Sequence, residues 1–302
     1  MTAMAVAGCC EVFAGCAGTP GAPPAPSGEN RATAPSAPVK IPLPAWRKRL
    51  RTITVKAGSQ TGTFMFDTGG GITQISPEFA RKVGCEPWGR ITGFQMMGAR
   101  FETPRCNDLR LEVGGLPLTV PVAAVYDTMA AFPHEAEPVD GVLALDAFAG
   151  QALTLDLGHH WMTVETPESL AERTRTMREG QARLSREAQG AALSVSAAAR
   201  TPKGLAWFEL DSGNGGTLLV SQHIAPLLGL DPKGEQPQPA RFDLVGGVTV
   251  EGNVHLPDMI IDGNVGMPFL SRWVITLDLA RSRVWFEPGG PGADVPPPPP
   301  PK

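Results

Sequence analysis

The chain repeats itself once. The stretch "FMFDTGGGITQIS" (64–76) has a counterpart 144 residues on, "FELDSGNGGTLLVS" (208–221), with one residue inserted before the closing apolar-Ser pair. The likeness runs on in both directions. "FARKVG" (79–84) matches "IAPLLG" (224–229), each read as a short helix ending in glycine. Upstream, "RTITVKAGSQTGTFMFD" and "ALSVSAAARTPKGLAWFELD" both alternate into a Gly-containing turn and leave it as an apolar strand. Downstream, 144–165 aligns without gaps onto 266–287, and both segments carry "TLDL" ahead of a bend and a further strand. A chain built this way must fold as two copies of one all-β lobe.

The remaining segments fall around the lobes. Lobe one is expected over 46–166 and lobe two over 191–288. Between them, 167–190 is charged, with Thr166 as N-cap and Pro167 at the first helical position, and is expected to be a partly helical connector over the surface. Proline-rich stretches mark 17–45 as a linker and 289–302 as a tail. With 42% hydrophobic and 19% charged residues and a net charge of −4, the composition is that of a soluble globular protein. No basic stripe is present, which argues against nucleic acid as a partner, and no apolar run is long enough for a spanning helix.

Asp67 and Asp211 each end an apolar strand, where an ionised carboxylate is costly unless paired or hydrogen-bonded. One such triplet is a weak signal and reads equally as a cap. Two, in register within a repeat, point to a pair of carboxylates brought face to face. Carboxylates a few ångströms apart cannot both ionise freely, so they share a proton, and one can act as base on a water while the other polarises a carbonyl. Gly69 and Gly213 allow the close approach, and the Thr68 and Ser212 hydroxyls suit hydrogen bonds between the two loops. Other motifs carry less. The histidines of "GHHW" (158–161) point opposite ways on a strand and read as a hairpin tip. Asp140, Asp146, Asp156, Asp262 and Asp278 sit beside turns and read as caps. "GGG" lacks a phosphate-loop pattern, no Gly-x-Ser-x-Gly occurs, and no Cys-x-x-Cys suggests zinc. No metal or organic cofactor is implied.

The whole constellation, over 46–288, resembles the aspartic proteases, specifically bacterial retropepsin-like proteins with two pepsin-like lobes in one chain. That resemblance implies two closed β-barrel lobes with short helices and an active site at their interface. It makes Asp67 and Asp211 the catalytic pair, with Thr68, Gly69, Gly70, Ser212, Gly213 and Gly266 in support. Both copies lie in one chain, so a monomer suffices, and the substrate would be an extended peptide or protein. The family's apolar-apolar-Gly element appears as Val265-Gly266 in lobe two, whereas Ala144 replaces the glycine in lobe one; Gly70 stands where Ala or Ser is common. A flap hairpin is expected within 89–105, without the tyrosine of pepsin-like enzymes, since the single tyrosine is Tyr126. Phe94, Met96 and Met97 are either lid residues or the core of a strand. The alternative function is a peptide- or envelope-partner-binding module that does not cut.

Near the N-terminus, "VFAGCAG" around Cys16 resembles a bacterial lipoprotein cleavage site, with "VAGC" at Cys9 less well placed. The resemblance implies a signal over 1–16, lipidation of Cys16, membrane attachment through it, and residence in the periplasm or cell envelope. Cys85 and Cys106 are the two cysteines of the folded part, and read either as a disulfide or as two buried thiols.

Overall fold

The computed structural model describes residues 35–290. The expected signal, Cys16 and most of the linker and tail lie outside them.

In chain order the first half contains β1 (Val39–Pro42), β2 (Ala45–Trp46), β3 (Leu50–Ala57), β4 (Gln60–Asp67), β5 (Gln74–Ile75), helix α1 (Pro77–Lys82), β6 (Trp88–Phe94), β7 (Arg100–Val113), β8 (Leu116–Val125), β9 (Gly141–Ala144), β10 (Ala152–Asp156) and β11 (Trp161–Glu165). Helix α2 (Pro167–Thr174) and β12 (Arg178–Ser185) follow. The second half contains β13 (Ser194–Thr201), β14 (Gly204–Leu210), β15 (Leu218–Val220), β16 (Gln238–Leu244), β17 (Val248–His255), β18 (Gly263–Val265), α3 (Met267–Leu270), β19 (Trp273–Asp278) and β20 (Arg283–Pro288).

The duplication is visible in the strand order. Lobe one closes as β3-β4-β9-β5-β8-β7, sealed where Lys56 of β3 meets Glu112 of β7. Lobe two closes as β13-β14-β18-β15-β17-β16, sealed where Ala199 meets Leu244. Closure leaves no bare edge in either barrel. In each, alternate strand residues point inward. Phe64 and Phe66 of β4 and Phe208 and Leu210 of β14 lie in the core, so each strand delivers its terminal aspartate at the barrel rim.

A six-stranded sheet, β1-β11-β10-β19-β20-β12, joins the lobes. At its centre the strands that carry the two "TLDL" segments, β10 and β19, pair with one another and cross at the first residue of each motif. Thr154 stands opposite Thr276, and their hydroxyls lie 3.0 Å apart in a buried hydrogen bond. The two hairpins read from the repeat are β10–β11 and β19–β20. Strand β1 falls inside the stretch expected as linker. Its Ile41 is buried, and residues 39–42 pair with β11, so the alternating "VKIP" serves the sheet.

The connector divides in two. Thr166 and Ser169 form a reciprocal capping box at the start of α2, with Pro167 in its first turn. The following charged stretch is strand β12, which pairs with β20 on one side and β13 on the other. Its polar sequence hides a strand whose stability comes from two backbone neighbours rather than a buried face. Of the two short helices expected after the motifs, the first is α1, capped by the Ser76 side chain. The second is a 3₁₀ turn over Ala225–Leu228, ending at Gly229 with φ 75°. Cys85 and Cys106 are joined in a disulfide, with Cα atoms 6.1 Å apart.

Candidate active site

The two Asp-Thr/Ser-Gly loops meet between the lobes and are locked together by reciprocal bonds. Thr68 N–H donates to Ser212 Oγ at 3.0 Å, and Ser212 N–H donates to Thr68 Oγ1 at 3.0 Å. Each hydroxyl then donates to a carbonyl of the opposite lobe, Thr68 to Leu210 at 2.6 Å and Ser212 to Phe66 at 3.0 Å. All four bonds are buried. Replacing Ser212 by alanine would strand the Thr68 N–H and the Phe66 carbonyl together. Ser212→Ala is therefore expected to lower unfolding stability by about 3 kcal/mol in a denaturant titration, far beyond a surface Ser→Ala control.

Gly69 and Gly213 are dictated by the opposite carboxylate. A Cβ on Gly69 would lie 2.5 Å from Asp211 Cγ, and one on Gly213 would lie 2.5 Å from Asp67 Cγ. Any side chain at either position pushes the pair apart. Gly266 is held by a different contact, the backbone and side chain of Asn214. At Gly70 a Cβ would come 3.0 Å from Asp67 Oδ2, so that glycine leaves room for the first carboxylate. Ala144 is accommodated: it is buried, pairs with Asp67 in the β4–β9 ladder, and donates its N–H to Thr73 Oγ1 at 3.2 Å.

The two aspartates have unlike surroundings. Asp67 Oδ1 accepts from Gly69 N at 2.9 Å and Gly213 N at 3.2 Å. Asp211 Oδ1 accepts from Gly213 N at 2.8 Å and Asn214 N at 3.1 Å, and its Oδ2 accepts from Asn264 Nδ2 at 2.7 Å. Burial, and then the charge of Asp211, hold Asp67 well above the usual carboxylate range. The pair thus retains a proton at pH values where isolated aspartates have lost theirs. Two further buried carboxyls are raised as well. Glu209, two residues before Asp211, is pushed up to about 8 by burial and by Asp211. Asp146 is pushed up to about 7 by burial, against hydrogen bonds from Thr73 N at 3.0 Å and Thr73 Oγ1 at 2.6 Å.

A cleft of about 640 Å³ opens over the pair. Four carboxyl residues line it, Asp67, Glu187, Glu209 and Asp211, and among the described residues no basic one does. The β6–β7 hairpin forms one wall. Phe94 and Met97, entertained above as strand core, are 58% and 49% exposed at its tip, and Met96 also lines the cleft. The core reading fails because the hairpin projects beyond the barrel. Its tip reaches the other lobe, where Ile260 N–H donates to the Met96 carbonyl at 3.0 Å. Tyr126 is absent from the hairpin but lines the cleft all the same, edge-on to Phe101 with centroids 5.1 Å apart. The connector contributes Ser185, Glu187 and Ala188 to the lining.

Elsewhere, His159 pairs with Asp156 at the β10–β11 tip, where Nδ1 and Oδ1 lie 2.8 Å apart. Asp140 and Asp262 occupy matching places in the two lobes and accept the Thr63 and Trp207 amides at 2.9 Å and 2.8 Å. Asp278 accepts the amides of Ala280 and Arg281. Asn264, Asn214 and Glu209 were not singled out from sequence. The signal that finds them is a comparison between the halves: Glu209 and Asn264 are paired residues of β14 and β18 where lobe one pairs Met65 with Val142.

Comparison with known proteins agrees with this geometry. Residues 52–147 match a family model described as aspartyl protease. A search of curated proteins found no match. Among solved structures, soybean basic 7S globulin superposes with a TM-score of 0.53 at 11% identity, covering 84% of this chain and 96% of its own. Conglutin gamma, a basic 7S globulin from lupine seeds, superposes at 0.51 with 11% identity, covering 84% of this chain and 95% of its own. At such identity these likenesses speak for the fold. Residues 52–147, most of the first lobe, are thus similar to an aspartyl protease family domain, and the two-lobed fold is of the aspartic-protease type.

Proposed function

We propose that the protein is an aspartic endopeptidase acting on extended peptide segments through Asp67 and Asp211. The observation behind this reading is the juxtaposition of the two carboxylates, each crowded by the other lobe's glycine and locked by the Thr68–Ser212 bonds. Such rigidity is superfluous for a pair of caps and necessary for shared-proton chemistry.

Asp211, with three hydrogen-bond donors on its carboxylate, is the base that takes a proton from an attacking water. Asp67, the member holding the shared proton, donates toward the scissile carbonyl oxygen as the tetrahedral centre forms. The proton taken by Asp211 passes to the departing amine as the carbon–nitrogen bond breaks, and the hydroxyl formed on the former carbonyl oxygen returns its proton to Asp67, leaving a carboxylic acid and the starting pair. The hairpin over 89–105 supplies strand edges on which an extended peptide can pair, with Phe94, Met96 and Met97 covering its side chains. Entry of a peptide displaces the Ile260–Met96 bond, giving the hairpin its role as a lid.

Both aspartates come from one chain, which supports a monomer as the working unit. The Cys85–Cys106 bridge supports work in an oxidising compartment, in keeping with a periplasmic or envelope location and an anchor at Cys16.

The test is a diverse peptide pool incubated with the protein from mildly acidic to neutral pH, with and without pepstatin. Cleavage at defined sites is expected. A folded protein that cuts nothing at any pH would transfer the assignment to a binding module on the same fold.

A further inference from the structure

The second lobe carries a polar chain that the first lobe lacks. Asn264, fully buried on β18, donates through Nδ2 to Asp211 Oδ2 at 2.7 Å and to Glu209 Oε2 at 3.3 Å. Its Oδ1 accepts from Asn214 Nδ2 at 2.8 Å. Asn214 is itself fixed, because its Oδ1 accepts the amides of Gly216 and Thr217, both at 3.2 Å, and its Nδ2 also reaches the Thr217 carbonyl at 3.1 Å. With an amide donor on one side and two carboxyl groups on the other, the Asn264 side chain has one satisfied orientation. In lobe one the equivalent places hold Gly70, Met65 and Val142, so Asp67 accepts the Gly69 and Gly213 amides without a side-chain amide donor. Three substitutions, all toward polarity and all converging on one aspartate, make the near-symmetric pair asymmetric.

We propose that Asn264, braced by Asn214 and Glu209, is a positioning residue that keeps the negative charge of the pair on Asp211 and the shared proton on Asp67. The inference rests on the protease reading for its consequence in catalysis, although the asymmetry itself does not. Hydrogen bonds to a carboxylate favour its charged form, and a donor given to one member of a coupled pair selects which member ionises first. Glu209 supplies a lone pair to Asn264 while remaining neutral at acidic and neutral pH, so the brace adds no second charge beside Asp211. The other titratable groups facing the pair across the cleft are Glu187 of the connector and Tyr126 after β8. A cation reaches this loop from the first lobe: Arg49 Nη1 donates to the Gly215 carbonyl at 3.4 Å.

The test compares wild type with Asn264→Val, with the double variant Glu209→Met/Asn264→Val, and with Asn264→Thr. The double variant reproduces the Met65–Val142 pair that the first lobe already packs, so it keeps the question open should the single variant fold poorly. Two readouts are taken: the pH profile of kcat/KM on a peptide cut by wild type, and the titration of the aspartate carboxyl carbons by NMR. In the valine variants the acidic limb and the first NMR step of the pair should both move up by about 1–2 pH units. Threonine, close to valine in shape but with a hydroxyl donor, should recover part of that shift. An unchanged first step in both valine variants, with only KM or thermal stability altered, would overturn the proposal by showing Asn264 to be purely structural. Should wild type cut nothing, the protease reading fails, and the NMR comparison still decides the asymmetry.

Discussion

Asp211→Asn is expected to lose cleavage by about a thousandfold or more, and to lose stability as well, whereas Asp67→Asn should lose as much activity while gaining stability. The activity loss follows because neither variant can share a proton between two carboxylates, and general acid–base catalysis alone contributes about 10²–10⁴-fold. The opposite signs in stability follow from the surroundings. Both Asp211 oxygens accept hydrogen bonds, from Gly213 and Asn214 amides on Oδ1 and from Asn264 on Oδ2. An asparagine there sets its own NH₂ against that of Asn264, or forces Asn264 to turn and confront Asn214 instead. Either way one buried donor loses its acceptor, at a cost of about 2 kcal/mol. Asp67 has the contrary problem, an acid buried beside another acid. An asparagine at 67 keeps an oxygen for the Gly69 and Gly213 amides, turns an N–H toward Asp211, and removes the repulsion. Thermal unfolding at neutral pH should therefore rank Asp67→Asn above wild type and Asp211→Asn below it. Equal shifts in the two variants would mean that the lobes present equivalent aspartates.

The sequence made the site's skeleton legible because the site is built twice. Strand, turn and glycine recur at a fixed offset, and only two loops facing each other give that recurrence a purpose. The cross-lobe hydroxyls were legible for the same reason, since Thr68 and Ser212 are interchangeable donors at matching places. What a repeat hides is its own exceptions. Asn264 stands in an element read for its apolar and glycine residues, and Glu209 in a strand read for its phenylalanine and leucine. A lone polar residue in a short strand looks ordinary until its partner is known. Here the partners are Asp211 and each other.

Local pattern failed where backbone pairing overruled it. Strand β12 has no clean alternation, and its place is fixed by β13 and β20, each far from it in periodicity though near in the fold. The hairpin residues Phe94 and Met97 carry the apolar character of a core strand, but the hairpin extends past the barrel, and their side chains stand over the cleft. Hydrophobicity identifies what wants cover; it does not say whether barrel or substrate provides it.

The protein should be most stable in mildly acidic solution and lose stability as the pH rises toward 8. Asp146 and Glu209 are lifted from 3.8 to about 7 and from 4.5 to about 8, and Asp67 is raised as well. In each case the folded chain holds its proton more tightly than the unfolded chain. The contribution is fully present below the unfolded values near 4 and is lost as pH rises through the folded ones, by about 1.4 kcal/mol per pH unit for each group while it lasts. The window thus runs from about pH 4 to 7 for Asp146 and a unit further for Glu209. Asp146 offers the cleaner test, since it lies away from the cleft lining and its Oδ2 is buried without a hydrogen-bond partner. In Asp146→Asn the amide oxygen retains both Thr73 bonds and no charge develops. That variant should match wild type near pH 5 and exceed it by about 3 kcal/mol at pH 8 in urea unfolding. A wild-type stability that climbs between pH 5 and 8 would mean that these carboxyls are charged in the folded state. The pair would then be competent to share a proton only in a more acidic range than the structure implies.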